Sequence, residues 1–200
     1  YRVIALDPAT GEEVWTFDTQ STLEALTQPA LKNRGVSYGE AENPVEGEAC
    51  QKIVYLGTMD AQLFAIDADD GQPCADFGEN GVLNVNQWND TEDRWPLSLL
   101  QPPTIVGDHV VIGWAGKDWE WETAPPGTVF SVDAQTGELV WEFNTVQDYQ
   151  TINNVETRGG SIDATGPVLS GEYMVVSSGY ATFSQMPGNA ILVFKLRSEQ

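Results

Sequence analysis

Short runs of alternating or continuous apolar residues, each bounded by turn formers, recur along the whole chain. Arg2–Leu6 and Glu13–Phe17 are of this kind, as are Pro103–Val106, His109–Ile112, Gly166–Leu169, Tyr173–Ser177 and Ala190–Leu196. Two further apolar runs lead into Asp67 and Asp133. Side chains of a strand point alternately to its two faces, so such runs predict β-strands. Helical periodicity is nearly absent, and the expected fold class is all-β.

The turns repeat. Ala5-Leu6-Asp7-Pro8-Ala9-Thr10-Gly11, Ala65-Ile66-Asp67-Ala68-Asp69-Asp70-Gly71 and Ser131-Val132-Asp133-Ala134-Gln135-Thr136-Gly137 each place Asp four residues before Gly. Asp bonds its own following amides and Gly accepts a positive φ, which makes a tight hairpin turn. An aromatic follows ten residues after each Asp: Phe17, Phe77 and Phe143. Eight residues after it stand Trp15 and Trp141 in the first and third copies, and Ala75 in the second. A second repeat aligns Pro103–Ile112 with Pro167–Val176, matching His109 to Tyr173, and makes His109 a strand-edge residue. The unit is a four-stranded antiparallel meander. Such sheets bury their faces only against one another, and radial stacking gives a β-propeller. We expect one domain over 1–200, with the end of a blade at 1–18, complete blades at 19–78 and 79–145, and an incomplete last blade at 146–200. The chain opens within a strand, so a piece of a longer protein is expected, with missing blades or self-association covering its open edges.

Composition narrows the class. With 41% hydrophobic and 20% charged residues the chain is globular. No apolar run approaches the ~18 residues that a spanning helix needs. A net charge of −21 excludes general affinity for nucleic acid and argues against binding anionic lipid. Cys50 and Cys74 form no CxxC pair and, with the single His109, cannot build a zinc site. They are free thiols or, in an exported protein, a disulfide. Placed at the starts of the second and fourth strands of one blade, they would stand ~10 Å apart across the intervening strand, beyond disulfide reach unless the flanking loops bend inward.

Ala5 to Trp15, of the form Ala-x-Asp-x-x-Thr-Gly-x-x-x-Trp, resembles the tryptophan-docking motif of quinoprotein dehydrogenases, and Ser131 to Trp141 is a near match. Asn33-Arg34-Gly35-Val36-Ser37-Tyr38, Gly57-Thr58-Met59-Asp60-Ala61-Gln62-Leu63, Gly71-Gln72-Pro73-Cys74-Ala75-Asp76-Phe77-Gly78 and Ala124-Pro125-Pro126-Gly127 follow in order. Together they resemble the membrane-bound glucose dehydrogenase branch through about residue 144. Thr157–Asp163, Ser178-Gly179-Tyr180 and Pro187–Leu192 resemble the closing region of polyvinyl alcohol dehydrogenase-like members.

The resemblance implies pyrroloquinoline quinone (PQQ) near the propeller axis, calcium beside it, and oxidation of an alcohol or sugar hydroxyl by hydride transfer, with a quinone or cytochrome as electron acceptor. It implies a periplasmic or otherwise exported protein. Carried over by position, Arg34 would bind a cofactor carboxylate, as suits a planar fork of donors. Asp118 would be a metal ligand, since calcium takes oxygen ligands. Trp15 and Trp141, with Gly11, Gly71 and Gly137, would dock neighbouring blades. Trp114, Trp119 and Trp121 would pack between blades or wall a site. Leu100 stands where the family has a Thr that bonds the cofactor, no catalytic base is matched, and Asp67–Gly71 is better read as a turn than as a calcium loop. Two functions compete: part of a PQQ-dependent dehydrogenase, or a non-catalytic propeller acting as scaffold or binding module. The glucose-dehydrogenase-like motifs and Arg34 favour the first; Leu100 and the unmatched catalytic base favour the second.

Overall fold

The computed structural model describes residues 1–21, 33–89, 98–113, 127–162, 166–179 and 185–196. They form fifteen strands and one 3₁₀ turn. Strands β1 (Arg2–Leu6) and β2 (Glu13–Asp18) make a two-stranded sheet. A four-stranded sheet follows, in the order β3 (Ser37–Glu40), β4 (Lys52–Gly57), β5 (Gln62–Asp67), β6 (Val82–Asn84), and leads into the 3₁₀ turn Val85–Trp88. The next has four strands: β7 (Thr104–Val106), β8 (His109–Gly113), β9 (Thr128–Asp133) and β10 (Leu139–Asn144). After a small hairpin of β11 (Asp148–Tyr149) and β12 (Thr157–Arg158) comes a three-stranded sheet of β13 (Val168–Ser170), β14 (Tyr173–Ser178) and β15 (Ala190–Lys195). All pairings between named strands are antiparallel. Two complete blades are thus flanked by two incomplete ones.

The repeated turns form for the expected reason. The Asp7 carboxylate accepts from the amides of Ala9 and Thr10, and that of Asp133 from Gln135 and Thr136. In each copy the Gly amide closes onto the Asp carbonyl at 2.7–2.9 Å, with φ of +75°, +77° and +72° at Gly11, Gly71 and Gly137.

The fourth strand of the second blade departs from expectation. It does not start at Cys74. Residues 72–74 pair briefly with the end of β5, through Asp67 N–H to Gln72 O and Cys74 N–H to Ala65 O. The chain then leaves the sheet at 75–80 and returns as β6, so the sheet runs past residue 78. Cys74 therefore lies in a loop that folds back toward Cys50, which turns inward with φ +57° and donates its amide to the Asp67 carboxylate. The structure joins Cys50 to Cys74 in a disulfide with Cα atoms 5.7 Å apart, in place of the ~10 Å expected for two strand ends.

Three apolar seams hold the blades together. Leu56, Phe64 and Ile66 receive Val3, Trp15 and Phe17 of the first blade. Ile53, Tyr55, Leu63 and Phe77 of the second pack on Val110, Ile112, Phe130 and Val132 of the third. Val111, Val129 and Trp141 meet Met174, Val176, Leu192 and Phe194 of the last. Trp15 spans the first seam: its Nε1 donates to Ala68 O at 3.0 Å, and a Cβ on Gly71 would stand 2.7 Å from its ring. The second seam lacks that tryptophan and solves the same problem with two residues. Tyr55 Oη donates to Ala134 O at 2.7 Å, the carbonyl equivalent to Ala68 O. The buried Phe77 ring lies against Gly137, where Gly78 N–H donates to Thr136 O at 2.8 Å. At the third seam Trp141 meets Phe194 edge-on at 5.4 Å. The innermost strands are stitched too. Ser37 at the start of β3 donates its hydroxyl to Pro103 O, and Thr104 at the start of β7 donates to Pro167 O.

Candidate functional site

Because the strands alternate in direction, the blades have two unlike ends. One carries the Asp-x-x-x-Gly turns, the disulfide and the 41–51 loop. The other gathers residues 33–36, 58–61, 98–102, 159–162 and 185–189, where the innermost strands begin. Buried polar side chains concentrate at this second end: Thr58, Ser98, Thr145, Ser161, Ser178 and Gln185. Ser178 Oγ bonds Thr145 Oγ1 at 2.7 Å and Gly160 O at 2.9 Å, and accepts from Gly160 N–H at 2.8 Å. Ser161 Oγ accepts from Met186 N–H at 3.0 Å, and Ser98 Oγ donates to Met59 O at 3.3 Å. Buried hydroxyls stay only where they are bonded, and these fasten one loop to the next. Glycine makes the contacts possible, since a Cβ on Gly160 would stand 2.4 Å from Met186 O.

Arg34 lies at this end, immediately before β3. Its amide donates to Leu100 O at 3.2 Å, which ties it to the segment leading into β7. Asn33 donates to Gly57 O at 3.0 Å and accepts from Gly35 N–H at 2.8 Å. Gly35, at φ +136°, runs past Pro102. The sequence Asn-Arg-Gly thus fixes the backbone against both complete blades and leaves Arg34 exposed. Leu100 takes part through its carbonyl.

The remaining candidates separate. Asp118 and the three tryptophans Trp114, Trp119 and Trp121 lie outside the described residues. Among the described residues no three His, Cys, Asp or Glu side chains come together to hold a metal ion. His109 starts β8 at the opposite end, with Nδ1 3.3 Å from the Asp108 carboxylate, so it belongs to no group with Arg34. Asp67 bonds the amides of Asp69 and Cys50 and serves the turn. One residue at the candidate end carries more than its motif suggested. Asp60, in Gly57-Thr58-Met59-Asp60, accepts from Ser21 at 3.2 Å and from Thr58, joining the first two blades. Beside it the Tyr1 phenol is pushed up by burial, with the charge of Asp60 adding to the effect. Nothing in the sequence pattern marked this pair, because the link runs between residues distant in the chain.

A planar tricarboxylate needs a cation beside it, and Arg34 is an exposed cation at this end. Arg34 stands on a backbone pinned through its own amide and through Asn33, in a protein of net charge −21 that would otherwise repel such an anion. An exposed guanidinium is of the chemistry that pairs with a carboxylate.

Comparison with known proteins shows the family. The family described as PQQ, glucose/ethanol/alcohol dehydrogenase, β-propeller domain, matches residues 1–167. The large subunit of glycerol dehydrogenase from Gluconobacter oxydans is 32% identical over 161 residues, covering 78% of this chain and 22% of that protein. Quinoprotein glucose dehydrogenase A of Acinetobacter calcoaceticus is 32% identical over 155 residues, covering 72% of this chain and 19% of its own length. The chain thus spans about a fifth of the curated relatives it matches. Among solved structures, quinohemoprotein alcohol dehydrogenase of Comamonas testosteroni superposes with a TM-score of 0.61 over 89% of this chain and 26% of its own, at 22% identity. That likeness shows the fold.

Proposed function

This chain belongs to the PQQ-dependent glucose/ethanol/alcohol dehydrogenase β-propeller family, and from that membership we propose that its end bearing Arg34 forms part of a seat for pyrroloquinoline quinone. The observation that carries this is Arg34 itself, exposed at the start of an innermost strand and anchored through its backbone to Leu100 of the next blade. In this reading its guanidinium pairs with a carboxylate of the cofactor, and the hydroxyl-bonded loops keep the surrounding backbone rigid. A bound quinone would supply the acceptor for a hydride from the carbon bearing an alcohol or sugar hydroxyl. The protein's part is to bind, orient and exclude water. Asp118, by its motif, would offer a carboxylate to calcium beside that cofactor. Electrons would pass on to a quinone or cytochrome. The Cys50–Cys74 disulfide supports an exported, oxidising compartment, since such bonds persist there and are rare in the cytosol.

The test is a titration of the folded chain with PQQ, with and without calcium, following quenching of its seven tryptophans. We expect saturable quenching, weakened at least tenfold in Arg34→Ala, about 1.4 kcal/mol. Equal quenching of both proteins would remove Arg34 from the seat. No quenching by either would leave these blades with the family's architecture alone.

A further inference from the structure

Three short segments, bonded to one another, hold the backbone of Arg34. The Arg34 amide donates to Leu100 O at 3.2 Å. Leu99 N–H donates to Thr58 O at 2.9 Å, and a Cβ on Gly57 would stand 2.6 Å from Leu99 Cβ, so residues 98–100 lie directly along 57–58. Asn33 closes the set, because its side-chain amide donates to Gly57 O at 3.0 Å. Segments 33–35, 57–58 and 98–100 are thus one cross-linked unit that spans both complete blades.

Asn33 makes a second bond. Its side-chain oxygen accepts from Gly35 N–H at 2.8 Å, a link to the amide two residues on that wraps the backbone around Arg34. At the tight-turn end the same link is made by Asp7, Asp67, Asp70 and Asp133. An Asp at position 33 could do only half of this. It would accept from Gly35 but could not donate to Gly57 O, and its carboxylate would face that carbonyl. It would also set a negative charge one residue from the Arg34 guanidinium. Asn supplies a donor, an acceptor and no charge in an equally short side chain.

We propose that Asn33 is a positioning residue for the cofactor seat. It acts through Arg34, by fixing the direction in which that side chain leaves the backbone, and it adds no carboxylate to compete for the guanidinium. Direction matters because the fork of donors pairs with a carboxylate in one plane. The proposal rests on the reading of Arg34 as the partner of a PQQ carboxylate.

A double-mutant cycle on the full chain tests it, with PQQ titrated against tryptophan fluorescence. Asn33 is exposed, so Asn33→Ala should fold, which near-ultraviolet circular dichroism checks. We expect Asn33→Ala to weaken PQQ binding about three- to tenfold, as two lost hydrogen bonds allow, and to have no further effect once Arg34→Ala is present. Asn33→Asp, which keeps the Gly35 bond, should bind more weakly than Asn33→Ala. Equal weakening with and without Arg34 would overturn the proposal, since Asn33 would then act independently of it. So would wild-type affinity in Asn33→Asp, which would leave the donor to Gly57 O without a role. Unchanged binding in Asn33→Ala beside weakened binding in Arg34→Ala would overturn the positioning role and leave the seat standing. Unchanged binding in Arg34→Ala would remove the seat itself, and the positioning role with it.

Discussion

A single indole and a single phenol do the same work at successive seams. Trp15 reaches Ala68 O across the first, and Tyr55 reaches Ala134 O across the second. Replacing Tyr55 by Phe keeps the ring and orphans a carbonyl, so we expect a loss of about 1–3 kcal/mol in chemical denaturation. Burial pushes the Tyr55 phenol well above its ordinary value, and the Asp133 charge adds to this. A pKa raised on folding means that the stabilisation is complete below the unfolded value near 10 and is lost as pH rises beyond it. The melting temperature should therefore fall above pH ~10, and fall less steeply in Tyr55→Phe. Two of the three turn glycines separate conformation from contact. Gly11→Ala meets nothing within 4 Å and carries only the positive-φ cost, about 1–2 kcal/mol. Gly71→Ala carries that cost plus a 2.7 Å collision with Trp15, and should be clearly the more destabilising in matched urea melts.

Legibility follows the same division at the level of strands and turns. Turns whose Asp and Gly act on their own backbone were readable, and so were strands of five or six residues with clear patterning. The fourth strand of the second blade was not. Its sequence keeps the spacing to Phe77, yet Ala75 stands where the docking tryptophan would, and the chain bulges out to carry Phe77 into the seam. The β11–β12 hairpin was also missed, since two-residue strands show no alternation. The disulfide closes the bulge. It links residues 24 apart, so its removal should cost about 3–4 kcal/mol on a loop-entropy estimate. A thiol assay should find no free thiol before reduction, and the melting temperature should drop after it. Free thiols in the native oxidised protein would contradict the fold of this loop.

For the molecule as a whole, the candidate site was legible in one residue and not in its setting. Asn33-Arg34-Gly35 could be picked out by its motif. That Leu100 would hold its backbone, that Asp60 would tie in Ser21, and that buried hydroxyls would gather at the same end are long-range facts that no local pattern carries. In the proposed reading, one end of the blades is a site and the other a rim of tight turns. Hydrogen exchange of the amides with and without PQQ and calcium tests this directly. The account predicts slowed exchange at residues 33–36, 57–61 and 98–102, with the turns at 107–109 and 133–137 unchanged. Protection centred on those turns, or none at saturating cofactor, would contradict it.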